Sequence, residues 1–299
     1  MILEIIFIII GFVLLVKGAD FLLKSATSIA KKFGLSETII GLTVVAIGTS
    51  LPEIFITITS SINGHSDLII GNAIGSCICN FLLVLGISAL VKRVKFDKRI
   101  VKTHIPICII AMCLVLLLGN ITKLEESYII NRWQGVILLF CAIGYIVYTI
   151  YEEKTIKNKT IEKEIIEEVE LKEINSGVII VIYLILGILG LKFGSNFVVD
   201  NSILIAEKFG LSENIIGMTI IAVGTALPEI ITGIIAAKRN ETDLLLGNIT
   251  GSNILNLLLL IGLGAVISPI KLMSNFNMTM LVLIAVTILL KFVSNINKN

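Results

Sequence analysis

Residues 34–94 read GLSETIIGLTVVAIGTSLPEIFITITSSINGHSDLIIGNAIGSCICNFLLVLGISALVKRV, and residues 210–270 read GLSENIIGMTIIAVGTALPEIITGIIAAKRNETDLLLGNITGSNILNLLLLIGLGAVISPI. An offset of 176 aligns them without a gap, with 28 of 61 positions identical. Chance does not produce that, even in apolar sequence, so the chain carries an internal repeat. The match reaches back through Gly18/Gly194 and Phe21/Phe197. Both copies sit in apolar runs long enough to cross a bilayer, which takes about 20 mostly apolar residues.

The composition agrees. Of 299 residues, 56% are hydrophobic and 15% charged, and the mean hydropathy is +1.01. Soluble domains carry about 25% charged residues, so a soluble globular fold, disorder and a coiled coil are excluded. The balance of 24 Lys and Arg against 22 Asp and Glu, +2, is too near neutral to suggest nucleic acid. All five cysteines lie in apolar runs without a CxxC pair and read as small core residues rather than a disulfide scaffold. The first run lacks a basic leader and carries Glu4, so it reads as a mature span and not a signal peptide.

Apolar runs at 2–24, 36–62, 67–91, 101–119, 128–151, 177–206, 212–237, 243–268 and 277–294 predict nine transmembrane helices. None alternates as a barrel strand would, so the expectation is an all-α polytopic membrane protein. Residues 152–176, with five Lys and eight Glu, read as a charged linker, with a short amphipathic helix on Ile161, Ile165 and Val169 as the lesser alternative. Twelve Lys and Arg fall on one set of short connections and four (Lys123, Arg132, Lys208, Lys271) on the other. The positive-inside rule then places the N-terminus outside and the linker and C-terminus in the cytoplasm. Five spans separate equivalent points, and five is odd, so the second copy lies upside down. The expected organisation is one inverted repeat over 1–151, the linker, and a second over 177–299, an arrangement typical of secondary transporters with a midplane ion site.

Polar residues gather where hydrocarbon is deepest. Glu53 and Glu229 each lie 17 residues into their spans. An ionised carboxylate there costs at least a few kcal/mol, and the flanking GTSLPE, GTALPE, GNAIGS and GNITGS segments offer no Lys or Arg. The missing partner is a metal ion or a proton. Pro52 and Pro228 precede the carboxylates, and proline clashes with the carbonyl four residues back, that of Gly48 and Gly224. The helices are expected to break there, freeing carbonyls of Ala46, Gly48 and Thr49, and of Ala222, Gly224 and Thr225, as oxygen ligands. Asn72, Ser76 and Asn80 form one polar stripe at helical spacing, and Asn248, Ser252 and Asn256 another. Two carboxylates, amides, hydroxyls and carbonyls suit hard cations such as Ca²⁺, Mg²⁺ or Na⁺. Cys77 and Cys79 point to different sides of a helix and cannot chelate zinc, and His65 and His104 read as ordinary surface or interface residues.

The paired motifs GTSLPE with GNAIGSCICN and GTALPE with GNITGSNILN closely resemble the two alpha repeats of the sodium/calcium exchanger family, within the calcium:cation antiporter superfamily. The resemblance covers nearly the whole chain. It implies exchange of Na⁺ against Ca²⁺ by alternating access, with spans one and six sliding over a core of spans two, three, seven and eight. On that pattern Glu53 and Glu229 hold Ca²⁺ and Thr49 and Thr225 add oxygens. Ala46, Ser50 and Ser76 line the inward Na⁺ position, Ala222, Thr225 and Ser252 the outward one, and Asn80 and Asn256 flank the middle. The implied partners are the two ions and the lipid bilayer of a prokaryotic cell membrane, with no resident cofactor and no obligatory protein partner. Ala226 stands where the family often has Ser, and Asn256 where many members have Asp. Span five has no counterpart after span nine, whereas close relatives have ten spans, and the linker is far too short for the calcium-sensing domains of animal exchangers. The nearest competing reading is a proton/Ca²⁺ antiporter, and a Ca²⁺-selective channel is more distant. An enzyme is not expected, because no His lies near the motif serines.

Overall fold

The computed structural model describes residues 2–124, 126–160, 176–209 and 222–296. Within them the chain forms α1 (Ile2–Phe33), α2 (Glu37–Thr49), α3 (Leu51–Ile62), α4 (Ser66–Val91), α5 (Ile100–Gly119), β1 (Thr122–Leu124), β2 (Ser127–Ile130), α6 (Arg132–Thr160) and α7 (Gly177–Lys208). After these come α8 (Ala222–Thr225), α9 (Leu227–Lys238), α10 (Thr242–Ile267), β3 (Ile270–Lys271) and α11 (Phe276–Ile296). The protein is an all-α polytopic membrane protein. Among the described residues seven helices are long and apolar enough to cross a membrane, and α2 with α3 make an eighth span bent by 47°. The expected seventh span falls partly on residues outside the described set, with α8 and α9 as its described part. The amphipathic alternative on Ile161, Ile165 and Val169 also lies outside them.

Three expectations need correction. The fifth apolar run was expected to be helical from residue 128, but residues 127–130 form β2, which pairs antiparallel with β1 and β3. A short apolar run of β-branched and aromatic residues serves either structure, and Lys271 and Ile270 supply the partner that decides it. The linker was expected to start at Glu152, yet α6 continues to Thr160 and its Glu153 is buried. The Glu153 carboxylate accepts from the Ser36 amide (2.6 Å) and from Arg99 Nη1 (3.0 Å), so it caps the entry to α2. His104, expected to be an ordinary surface or interface residue, is fully buried with Nε2 3.2 Å from the Glu152 carboxylate.

Contacts between helix ends sort the connections into two faces. On one, Glu4 pairs with Lys208, the Lys271 amide donates to the Ser66 hydroxyl (3.0 Å), and the Asn120 and Asn277 side-chain amides each donate a hydrogen bond to the other's oxygen (2.8 and 2.9 Å). The three-stranded sheet lies at the same end. On the other are Ser36, Arg99 and Glu153, with Glu241 close enough to Glu37 to feel its charge. So α3 runs towards the first face and α9 towards the second.

Small residues set the closest approaches, since without water to exclude, helices in lipid gain from backbone contact. The long helices α1 and α7 pack antiparallel through glycines. A Cβ on Gly11 would lie 2.8 Å from the Gly194 carbonyl oxygen, and one on Gly18 2.9 Å from that of Gly187. Against α2, a Cβ on Gly247 would lie 2.5 Å from the Thr38 oxygen and one on Gly251 2.5 Å from the Leu42 oxygen.

Candidate ion-binding site

Both expected breaks are present. Ser50 leaves the helix with φ −82° and ψ 5°, and its repeat equivalent Ala226 does so with φ −87° and ψ 0°. Each is followed by a new helix whose second residue is proline, a position where the missing amide costs nothing. Glu53 and Glu229 therefore stand in the first turns of α3 and α9, where a helix N-terminus favours negative charge.

The two carboxylates are 1% and 3% exposed and lie within coulombic reach of each other, with the Thr49 hydroxyl facing Glu229. Among the described residues neither oxygen of Glu53 has a partner, nor has Glu229 Oε2, Ser50 Oγ or Asn256 Oδ1. Buried polar atoms are almost always hydrogen-bonded, and a cluster of orphaned oxygens calls for an explanation. Among the described residues no three His, Cys, Asp or Glu side chains come together to hold a metal. The donor set is two carboxylates with neutral oxygens, which suits a hard cation as cargo.

The surrounding polar residues hold that cluster in place. Asn72 donates to the Glu53 backbone carbonyl (3.1 Å), tying α4 to α3. Thr49 donates to the Val45 carbonyl (3.1 Å) or across to Asn248 Oδ1 (3.2 Å), and Ser252 lies 3.4 Å from both the Ala46 carbonyl and Asn248 Oδ1. Thr49, Ala46, Asn248 and Ser252 are thus assembled across α2 and α10. Asn80 does not turn to a carboxylate. It donates to Asn253 Oδ1 (2.9 Å), while Asn253 donates back to the Cys77 carbonyl (3.3 Å). Ser76 and Thr225 line, with Asn72, Gly71, Gly75 and Ala226, a cavity of about 510 Å³ that extends along α4 from Asp67. Ala222 opens α8, and the residues before it are outside the described set.

Two carbonyls expected to be loose are engaged. Ala46 accepts the Ser50 amide (3.1 Å). Gly224, freed by Pro228, accepts the Ser195 hydroxyl of α7 at 2.7 Å. Ser195 carried no signal in the motifs. Its repeat equivalent is Ala19, so Gly48 receives no such donor from α1. Asn253 was likewise missed, although it stands where the first copy has Cys77. In both copies the helix widens into a π-type turn just after the stripe, Asn80–Val84 and Asn256–Leu260, a distortion common at functional sites.

A sequence model of the family described as sodium/calcium exchanger protein matches residues 3–151 and 179–297. The chain is 38% identical over 266 residues to the putative antiporter CaxA of Alkalimonas amylolytica, covering 88% of this chain and 81% of that one. It is 32% identical over 325 residues to the sodium/calcium exchanger MaX1 of Methanosarcina acetivorans, covering 96% and 90%. The solved structure of the sodium-calcium exchanger NCX_Mj soaked with Na⁺ and Sr²⁺ superposes with a TM-score of 0.81 at 33% identity, over 98% of this chain and 91% of that one. The match spans both copies of the motif and both carboxylates, and on it this chain belongs to the sodium/calcium exchanger protein family of membrane cation/Ca²⁺ antiporters.

Proposed function

We propose that this protein moves Ca²⁺ across the cell membrane in exchange for Na⁺, by alternating access, with Glu53 and Glu229 as shared ligands. The observation that carries the reading is the group of buried oxygens on Glu53, Glu229, Ser50 and Asn256 that no atom of the described residues satisfies. Two ionised carboxylates present a charge of −2, which one Ca²⁺ neutralises and Na⁺ ions can replace. Thr49 and Thr225, with Ala46, Ala222, Ser76, Ser252 and Asn80, complete the proposed surroundings. Differential affinity of the two cargos for the two access states drives the cycle.

The halves are read as inverted repeats, 1–151 and 177–299, joined by a cytoplasmic linker, with the N-terminus outside. The opposed directions of α3 and α9 support the inversion, as do pairs of contacts that swap under the offset of 176: Gly11 with Gly194, and Gly18 with Gly187. Gly247 and Gly251 press against α2, and their equivalents Gly71 and Gly75 line the cavity.

The test is Na⁺-driven ⁴⁵Ca²⁺ flux in proteoliposomes. Glu53→Gln or Glu229→Gln abolishes it, and normal flux in either variant removes the site. A pH gradient in place of the Na⁺ gradient drives no flux; if it does, protons are the coupling ion.

A further inference from the structure

Beyond the central site two more buried hydroxyls have no partner among the described residues. Ser88, near the end of α4, is 0% exposed, and Thr232, on α9, is 1% exposed; neither side-chain oxygen bonds to a described residue. A buried Ser or Thr on a helix commonly donates to the carbonyl four residues back, as Ser61, Thr149 and Thr287 do (2.7, 2.8 and 2.8 Å). Ser88 and Thr232 do not. Ser88 also faces a bare backbone: a Cβ on Gly233 would stand 2.9 Å from its hydroxyl oxygen.

Their placement is directional. Thr232 and Gly233 lie three and four residues past Glu229, on the same side of α9. Ser88 continues the stripe of Asn72, Ser76 and Asn80 and stands 12 residues, about 18 Å of helix, beyond Ser76. Both hydroxyls therefore lie between the central carboxylates and the face where α4 and α9 end at Val91 and Lys238.

We propose that Ser88 and Thr232 form a way station that holds a partly hydrated Na⁺ as it passes between the Glu53/Glu229 site and that face. Neutral hydroxyls without a carboxylate cannot replace the hydration shell of Ca²⁺, whose sites rely on anionic oxygen. A monovalent ion that keeps some of its water needs less. The equivalent positions in the other copy are Ile56 and Gly264, which have no hydroxyl, so the station serves one face alone.

The inference rests on the Na⁺-coupled reading, and its test is separable from that reading. The Na⁺ dependence of ⁴⁵Ca²⁺ exchange is measured in right-side-out and inverted membrane vesicles. The double variant Ser88→Ala/Thr232→Val raises half-saturating Na⁺ about tenfold at the face where α4 and α9 end, the effect of losing roughly 1.4 kcal/mol of binding, and leaves the opposite face unchanged. Thr232→Ser alone behaves as the wild type. The thermal midpoint of the double variant is equal or higher, because a buried hydroxyl without a partner is removed. Unchanged Na⁺ dependence, as a resident water in place of Na⁺ gives, overturns the station. An equal shift at both faces, or a fall in midpoint, overturns it in favour of a packing role. If the wild type shows no Na⁺-driven exchange, the coupling reading itself fails, and the station with it.

Discussion

Single residues at this site divide by whether their polar atoms are satisfied. Glu53 has no partner among the described residues for either oxygen, whereas Ser195 donates at 2.7 Å to a carbonyl that Pro228 leaves open. Removing the two has opposite consequences for stability. Ser195→Ala orphans a buried carbonyl, which costs about 1–3 kcal/mol, so the thermal midpoint of the purified protein falls. Glu53→Gln removes a buried carboxylate that lacks a counter-charge, so without Ca²⁺ its midpoint is at least that of the wild type, although transport is lost. Midpoints measured by tryptophan fluorescence or calorimetry separate the cases; a strongly destabilised Glu53→Gln protein contradicts a site built for a visiting ion. Ca²⁺ protection against melting, present in the wild type, disappears in that variant.

At the scale of elements, legibility followed how local the cause was. The breaks at Ser50 and Ala226 could be read from sequence because proline acts on its own neighbourhood, whatever packs around it. The strand Ser127–Ile130 could not, since its pairing with Ile270 and Lys271 depends on a segment more than a hundred residues away. Ser195 was hidden for the same reason: its role is defined by Gly224, on another helix. The turn between α9 and α10 is a further case. Glu241 is buried there, one oxygen is without a partner among the described residues, and burial, with the charges of Glu37 and Asp20 adding, pushes its carboxyl up to about 7 against the opposing pull of Arg239. A carboxyl raised in the fold favours the folded state fully below its ordinary value of 4.5 and loses that contribution as pH rises through about 7. Glu241→Gln therefore melts with the wild type near pH 4 and above it near pH 8, by on the order of 3 kcal/mol. Equal midpoints across that range contradict the assignment.

For the whole molecule the question is which bodies move. Helices α1 and α7 touch through backbone at Gly11, Gly18, Gly187 and Gly194, a contact too close to slide without separation. Their fit to the rest of the protein is looser: a Cβ on Gly48 would stand 3.5 Å from the side chains of Leu22 and Ile188, and Asp20 on α1 pairs with Arg239 at the end of α9. On the proposed alternating-access cycle the pair travels as one body over α2, α3, α4, α9 and α10. Two ion pairs make that testable. Glu4 with Lys208 bridges α1 to α7 within the proposed moving body, and Asp20 with Arg239 bridges that body to the core. In a background without native cysteines, Glu4→Cys/Lys208→Cys and Asp20→Cys/Arg239→Cys are each joined by a short thiol crosslinker, and ⁴⁵Ca²⁺ exchange is measured before and after. The first crosslink leaves exchange nearly intact, and the second arrests it until the linker is cleaved. Arrest by the first alone would mean that α1 and α7 move against each other, and the glycine seam would then be a sliding surface rather than a weld.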